Sequence, residues 1–488
     1  MSARSRRLLR ERLRYPLRSR STVRRLQILS GTAILALLGL CATSIVGLTQ
    51  ARDGVHTIGH GAGPQVVETA NLYYALSDMD AQVANILVIG DQHELGDGRE
   101  AALETYDQRR TEANEALLEA SQLSADDPTE QRTVQELLDG LATYDQLRAE
   151  AILLSEQADH PPGELPEEVR ETYDEAADLM RLELLPKAYN LALDRGSLVR
   201  TTYEEKHTWV LVSAIVAAVA GIVAVAALIR LQIFLRRRFR RRLSPFLVAA
   251  TVGTAIMTVG ISGFLLSEAR HLQSAKEDGF DSVLALARAR AMATVNHADQ
   301  SRYLLNPDQA TSYEQRFLEN SQAIVDVPIG GEDGSAAGTL EEYRESLAEG
   351  VANLEEEDVD QELRGLLGDE VGASELEGHD TAILTVLQNY TALQSSDETM
   401  RAMAERGNTH GAIQFLVSSG GGEGTYAFNQ FDTALAEGLT ELHQQAFDDA
   451  IARGESGLTA WTVASPAVTL LLAGLVVAAA RSRMAEYR

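Results

Sequence analysis

Long apolar runs separated by polar segments dominate the sequence. Four of them contain no Asp, Glu, Lys or Arg, and each is near the ~20 residues that a helix needs to cross the hydrocarbon core of a bilayer. We therefore predict four transmembrane helices, and the pattern excludes a soluble enzyme. The predicted helices are 26–48, 208–229, 243–267 and 460–480, which leave an arm at 1–25, a first long segment at 49–207, a connection at 230–242, a second long segment at 268–459 and a tail at 481–488.

Within both long segments, apolar residues recur at alternating steps of three and four. A stripe of this kind faces neighbouring helices, while acids and Gln cover the opposite side. Gly- and Pro-containing breakers between the stripes delimit four helices in each segment. We therefore predict an all-α membrane protein with two tandem extracytoplasmic four-helix bundles. The clearest stripes are Val134, Leu137, Leu141, Tyr144, Leu147, Ala151 and Leu154 in the first segment, and Phe428, Phe431, Leu435, Leu439, Leu442 and Ala446 in the second.

The second segment departs from the first between residues 328 and 380. Here Gly330-Gly331 precedes two acidic stripes, Leu340 to Leu354 and Val359 to Leu367. This composition predicts an insertion that is either a helical hairpin or a partly disordered flap. We expect the contact that distinguishes the two bundles to lie in it.

Short echoes in the same order indicate that the two segments arose by duplication of one unit. Each echo also places an aromatic or basic side chain at a matching position. The echoed pieces are Tyr106-Asp107-Gln108-Arg109 with Tyr313-Glu314-Gln315-Arg316, the stretch around Tyr144 with that around Tyr390, and Thr172-Tyr173 with Thr425-Tyr426.

Charge separates the chain into two classes of segment. The arm, the connection and the tail together hold 20 basic and 2 acidic residues, whereas the two long segments hold 23 basic and 69 acidic residues. Short Arg-rich flanks stay in the cytoplasm, and this bias sets the orientation of a membrane protein. We predict that both termini and the connection are cytoplasmic and that both long segments are extracytoplasmic, in a multi-pass protein of the cell membrane.

The first apolar run has two other interpretations. A cleaved signal peptide has an apolar region of roughly 7–15 residues, so this longer run favours an uncleaved anchor. A lipoprotein signal would use Cys41, but Leu40 stands before it where a small residue is needed. Cys41 is the one cysteine in the sequence, so an intrachain disulfide is excluded.

No catalytic or metal-binding pattern is evident. The Gly-rich stretches 59–63 and 418–424 do not follow a strand and lack the Lys that a phosphate-binding loop requires. His56 and His60 have a spacing compatible with a metal, but no third ligand is near. The predicted cytoplasmic parts total fewer than ~50 residues, too few for a catalytic domain. We predict a protein that is not an enzyme, with no cofactor, no metal and no contact with nucleic acid.

The basic connection has two interpretations. Its arginines fix the topology and attract anionic lipids, at roughly 1 kcal/mol per residue near the surface. Alternatively, they dock an acidic cytosolic partner. Both interpretations use the same six candidate contact residues, Arg236, Arg237, Arg238, Arg240, Arg241 and Arg242.

Helical bundles flanked by two anchors resemble the sensing modules of bacterial chemoreceptors and sensor kinases. The layout of two such modules in one chain, with Arg-rich inner flanks at 1–25 and 230–242, is similar to the GlnX-type membrane proteins of GC-rich Gram-positive bacteria. The resemblance implies two partners. One is a GlnH-like extracytoplasmic solute-binding lipoprotein that recognises amino acids, and the other is the cytosolic Ser/Thr protein kinase G.

Three functions are compatible with this layout, which also allows a homodimer. The first is a signalling adaptor that relays amino-acid or nutrient availability outside the cell to a cytosolic Ser/Thr kinase. The others are a structural protein of the cell envelope and an accessory subunit of a transporter. If a small ligand binds directly, Tyr106, Arg109, Tyr313 and Arg316 are the candidate contacts; the alternative is that the tyrosines belong to the bundle core and the arginines to a solvated edge.

Overall fold

A computed structural model describes most of the chain. The described residues are 3–90, 98–123, 127–158, 160–239, 244–329, 338–354, 364–368, 371, 374, 376–418 and 420–485. The side chains of residues 3–23 in the basic arm lie outside this description, as do residues 330–337, 355–363, 369–370, 372–373 and 375 of the predicted insertion at 328–380.

The described chain is helical throughout, apart from turns and one isolated antiparallel bridge between Asp326 and Arg364. Four of its helices are long and apolar enough to cross a membrane, which confirms the prediction of an all-α membrane protein. In chain order the α-helices are α1 Ala3–His56, α2 Gly63–Ile89, α3 Gly98–Leu123, α4 Pro128–Ala158, α5 Glu167–Leu179, α6 Leu185–Phe239, α7 Pro245–Ser274, α8 Ser282–Leu305, α9 Ala310–Ile324, α10 Leu340–Asn353, α11 His379–Glu405, α12 Thr409–Val417, α13 Gly424–Thr433, α14 Glu441–Glu455 and α15 Leu458–Ala485.

Wide π-helical turns interrupt four helices at matching places in the two halves. Thr57–Ala62 and Ala275–Asp281 each follow the first apolar run of their half. Met180–Leu184 and Ala434–Thr440 each precede the second apolar run. A π turn accommodates an extra residue in a helix and is frequent at functional sites. Their matching positions support the inferred duplication.

The chain divides into two compact units. The membrane unit comprises 1–58, 201–273 and 449–488, and the loop unit comprises 59–200 and 274–448. Within the membrane unit, a Cβ atom at Gly253 would lie 2.7 Å from the Leu472 side chain, and one at Gly260 would lie 2.8 Å from the Trp461 side chain. These glycines therefore let α7 and α15 approach closely, as small residues do between membrane helices.

The loop unit has two hydrophobic cores, one formed mainly by each long segment. The predicted stripes supply them: Leu137, Leu141 and Tyr144 are buried in the first core, and Phe431 and Leu435 in the second. The first core also receives side chains of the second segment, which are Leu304, Leu305, Met400, Ala412, Ile413 and Leu416. The two predicted bundles therefore pack together in one unit, whereas the sequence suggested two consecutive bundles.

Helix α10 lies within the predicted insertion and joins the second core. It begins with a capping box, in which the Thr339 hydroxyl accepts from the Glu342 N–H and the Glu342 carboxylate accepts from the Thr339 N–H. Buried Tyr343 donates its hydroxyl proton and lies 2.9 Å from the Ser321 carbonyl and 3.0 Å from the Val325 carbonyl. These bonds attach the described part of the insertion to the end of α9.

Candidate functional site

Helices α2 and α8 pack against each other at the centre of the loop unit. Each follows an apolar run, and each is buried over most of its surface. Burying a charged side chain is costly unless it is paired. Nevertheless both helices bury polar residues, which include Asp78 and Asp80 of α2 and Asn296, His297, Asp299, Gln300, Ser301 and Arg302 of α8.

Arg302 forms the central link between α2 and α8. Its guanidinium group pairs with Asp80 across the two helices and with Asp299, 2.9 Å away, on its own helix. Its third nitrogen donates to the Tyr173 hydroxyl at 3.1 Å, and the Tyr144 hydroxyl donates to Asp80 at 3.2 Å. Burial by itself would lower the pKa of Arg302, but these partners hold it well above its ordinary value. The arginine therefore stays charged and ties both long segments together.

The two echoed arginines occupy equivalent positions. Arg109 of α3 donates to Asp78 of α2 at 2.7 Å, and Arg316 of α9 donates to both oxygens of Asp299 of α8 at 2.9 Å. In each half, therefore, the echoed arginine pairs with an aspartate on the helix that follows the first apolar run. Both carboxylates are buried, whereas the arginine side chains are 19% and 24% exposed, so each arginine lies at the border between the core and solvent.

Tyr74 lies between two arginines from different segments. The guanidinium carbon of Arg290 lies 3.8 Å from the centre of the Tyr74 ring, and that of Arg109 lies 4.9 Å away. Arg290 is held by a two-bond ion pair with Asp432, at 2.5 and 2.7 Å. Alternating cations, an aromatic ring and carboxylates thus connect α2, α3, α8 and α13.

A polar cavity of about 780 Å³ adjoins this cluster. Its lining includes Asp78, Arg109 and Asp432 together with hydroxyl and amide groups, and residues of both long segments contribute. Pockets of a few hundred Å³ accommodate small organic ligands. With a guanidinium and two carboxylates on its wall, this cavity offers partners for both ends of a zwitterion.

The echoed tyrosines lie in packed surroundings. Tyr106 is fully buried, donates its hydroxyl proton to Asp145 at 2.5 Å and stacks under Arg148, at 4.2 Å. Tyr313 is also buried, and its ring lies 4.9 Å from the guanidinium of Arg316. The structure therefore brings Tyr313 and Arg316 together, whereas Tyr106 and Arg109 contact different neighbours. Their contact with a ligand stays a prediction.

The candidate residues of the basic connection are described only in part. Arg236 and Arg237 are exposed near the end of α6. Arg238 belongs to the same helix, but its side chain lies outside the described part, and so do Arg240, Arg241 and Arg242 altogether.

The buried polar residues of α2 and α8 were missed in the sequence. Asp80, Asp299 and Arg302 lack a recognisable motif, and each looks like one charge among many. One available signal was the local context at 72–89, where Asp78 and Asp80 interrupt a sequence that is mostly apolar. A helix that is apolar all round is buried, so charges in it must find partners.

Acidification should destabilise the loop unit through His297. The ring of His297 stacks on Phe428 with 4.5 Å between centres, and burial lowers its pKa. The unfolded chain then binds the proton more readily, so the free energy of unfolding falls as pH drops below the ordinary value of about 6.5. We expect the melting temperature, followed by circular dichroism, to fall from pH 7.5 to pH 5.5, and to fall less in His297→Phe. An equal slope in both proteins would contradict this assignment.

Comparison with known proteins found one similarity, which lies in the first half of the chain. Residues 54–204 match the family model described as an actinobacterial sensor domain. No curated protein and no solved structure matches the chain. The matched range covers nearly all of the first long segment. Together with the four long apolar helices, the match indicates a sensor-type membrane protein with a role in sensing or signalling.

Proposed function

We propose that this chain is a non-enzymatic transmembrane signalling adaptor. It relays the availability of amino acids or related nutrients outside the cell to a cytosolic Ser/Thr kinase. The observation that supports the proposal most is the sensor-domain match at 54–204, because this range begins and ends beside two of the apolar helices. The resemblance to GlnX-type proteins adds the two partners, a GlnH-like solute-binding lipoprotein outside and a protein kinase G-like enzyme inside.

The ion pairs between α2 and α8 supply a route for coupling the two halves. A change in one segment alters the position of Arg302, and through Asp80 and Asp299 it reaches the other segment. Signalling shifts between packed helices are typically of 1–2 Å. A ligand drives such a shift only when it binds the two arrangements with different affinity. The four π turns lie on the path of each helix towards its apolar run and are the places where such a shift would be taken up.

The polar cavity beside Arg109 is the proposed place for direct recognition. Arg109 would exchange its more exposed partner Glu112 for the carboxylate of an amino acid, and Asp78 and Asp432 would keep their arginines and also accept from its ammonium group. In this proposal Tyr106, Tyr313 and Arg316 hold the surrounding helices. Recognition through the lipoprotein would instead use the surface of the loop unit, and both routes end in the same shift of α2 against α8.

The basic connection is the proposed output surface. Arg236 and Arg237 are exposed, and the remaining arginines extend the same charge along the connection. Arginine binds carboxylates through a planar fork that lysine does not reproduce, whereas anionic lipids attract both side chains. Exchange of the six arginines for lysine therefore separates kinase docking from attraction to lipid.

Crosslinking and phosphorylation in the same cells test the adaptor. With a photoreactive amino acid in place of Phe239, we expect capture of a Ser/Thr kinase, and we expect phosphorylation of that kinase's substrates to change when amino acids are added to starved cells. The six Arg→Lys exchanges should preserve membrane insertion and lower both signals several-fold. Capture of permease subunits or wall enzymes instead, or phosphorylation unchanged in a strain lacking the chain, would contradict the proposal.

A further inference from the structure

A second large cavity lies in the loop unit, on the side of Arg316. Its volume is about 670 Å³, and both long segments line it through α2, α6, α8 and α9. Four guanidinium groups border it, those of Arg181, Arg288, Arg302 and Arg316, against one carboxylate, Asp80, among the lining residues. The cavity therefore presents an excess of positive charge inside a chain that is strongly acidic as a whole.

Three of these arginines already have carboxylate partners. Arg302 pairs with Asp80 and Asp299, Arg316 also pairs with Asp299, and Arg181 pairs with Asp178 on the surface. Arg288 differs from them. It is half-buried, and its guanidinium lies 5.4 Å from the centre of the Tyr189 ring, with no carboxylate within ion-pair distance among the described residues. Within the described part of the chain, one cationic group at the cavity thus has no carboxylate partner.

The remaining wall is mainly apolar. Leu185, Met292, Val295 and Leu366 line it, and the rings of Tyr73 and Tyr189 form one side with 5.8 Å between their centres. Such a wall disfavours a small hydrated anion and favours a molecule that buries apolar surface. One unmatched guanidinium suits a monoanion, whereas a phosphate dianion would need more positive charge than the cavity leaves unpaired.

Part of the rim comes from the insertion that distinguishes the second segment. The Leu366 N–H donates to the Ala323 carbonyl at 3.0 Å, which holds this short piece against the end of α9. Gly365 has a φ of +87°, and a Cβ atom there would lie 2.9 Å from the Asp326 nitrogen. Only glycine fits this position, so the backbone next to the cavity is closely determined.

From these observations we propose that the cavity binds a small organic monocarboxylate with an apolar aliphatic or aromatic body. Arg288 pairs with the carboxylate, and the apolar body packs against Met292, Val295 and the Tyr73 ring. This inference deepens the proposed function by naming a ligand class. Only the consequence of binding, a signal relayed to the kinase, rests on that function. Binding is measured on the isolated protein, so failure of the relay in cells leaves this test unaffected.

Calorimetry on the full chain in lipid nanodiscs tests the site, with empty nanodiscs as the reference for partition into lipid. The probes are 3-phenylpropionate and octanoate, compared with 3-phenylpropanol, which lacks the charge, and acetate, which lacks the apolar body. We expect the two carboxylates to bind and the other two compounds to bind at least about tenfold more weakly.

Variants assign the binding to this cavity. Arg288→Gln should weaken binding of 3-phenylpropionate at least about tenfold, and Met292→Trp should abolish it by filling the cavity. Arg99→Gln is the matched control, because Arg99 forms an exposed ion pair with Glu156 away from the cavity lining. The affinity of this variant for 3-phenylpropionate should equal that of the unmodified protein. Unchanged affinity in Arg288→Gln, equal binding of the alcohol, equal binding of acetate, or no binding of either carboxylate at millimolar concentration would each overturn the proposal.

Discussion

Replacing Arg302 with methionine is expected to destabilise the loop unit by about 3–5 kcal/mol, because it leaves the buried carboxylate of Asp80 without its cation. The side chains of Arg302 and Asp80 are only 5% and 4% exposed, so water cannot take the place of the lost partner. Asp299 keeps its two bonds to Arg316, which limits the damage to one uncompensated charge. Thermal unfolding in nanodiscs, followed by circular dichroism, measures the effect as a lower melting temperature.

Two further variants test whether the loss of stability in Arg302→Met comes from burial of an unpaired charge. The double variant Asp80→Asn with Arg302→Met removes both charges and should recover part of the stability, as double-mutant cycles of coupled pairs do. Arg99→Met breaks the exposed pair with Glu156 and should cost about 0–1 kcal/mol. If Arg302→Met were as mild as Arg99→Met, the link between α2 and α8 would not be a stabilising one.

Deleting Gly438 is expected to preserve the fold and abolish the nutrient-dependent change in kinase output. Gly438 lies in the π turn Ala434–Thr440, is exposed, and has no neighbour within 4 Å of its Cβ position. Removing one residue from a π turn returns the helix to regular α geometry with both flanks in register. The melting temperature should therefore stay within a few degrees. The extra residue of the π turn is lost, and with it the place where a helix shift is taken up. Phosphorylation of kinase substrates after addition of amino acids reports the output.

Deletion of Ser395 is the matched control for this experiment. Ser395 is exposed in the regular helix α11, and its removal rotates the helix by about 100° beyond that point. Buried Asp397 and Arg401, which form an ion pair, then leave their positions. The chain should unfold or fail to accumulate. A nutrient response that persists without Gly438, in a protein of normal stability, would show that the π turn Ala434–Thr440 plays no part in the relay.

The helical character and the apolar helices could be predicted from the sequence because both depend on local pattern. A run without charges over more than twenty residues has few structural alternatives, and stripes at steps of three and four place Leu137, Tyr144 and Phe431 in a core whichever helix faces them. Membrane orientation rests on Arg-rich flanks such as residues 230–242 and remains a prediction.

The packing of the two segments into one unit could not be predicted, because it depends on contacts between residues far apart in the chain. Leu304, Leu305 and Ile413 look like ordinary core residues of the second segment, yet they complete the first core. The stripe pattern identifies a buried face, but it does not identify the helix that covers it.

The candidate site was half predicted. The duplicated motif pointed to Arg109 and Arg316, and the structure places each of them on the wall of a large cavity. The aspartates that hold them, Asp78 and Asp299, lie 31 and 17 positions earlier in the chain. Comparison of the two duplicated motifs does not find these aspartates, because they lie at different distances along the chain from the matching arginines. Arg288 was not identified either, because it differs from the other arginines only in having no carboxylate beside it among the residues that the structure describes.

A disulfide between α2 and α8 tests most directly whether both long segments form one unit on the same side of the membrane. The Ser301 hydroxyl lies 2.7 Å from the Asn85 side-chain oxygen, so cysteines at these two positions should join on oxidation. Cys41 is replaced by alanine, and a protease site is placed in the connection at 240–242. After oxidation of intact cells and cleavage, the two halves should migrate together on a gel and separate on reduction, while either single-cysteine variant separates throughout. Halves that separate without reduction in the two-cysteine protein would contradict the account.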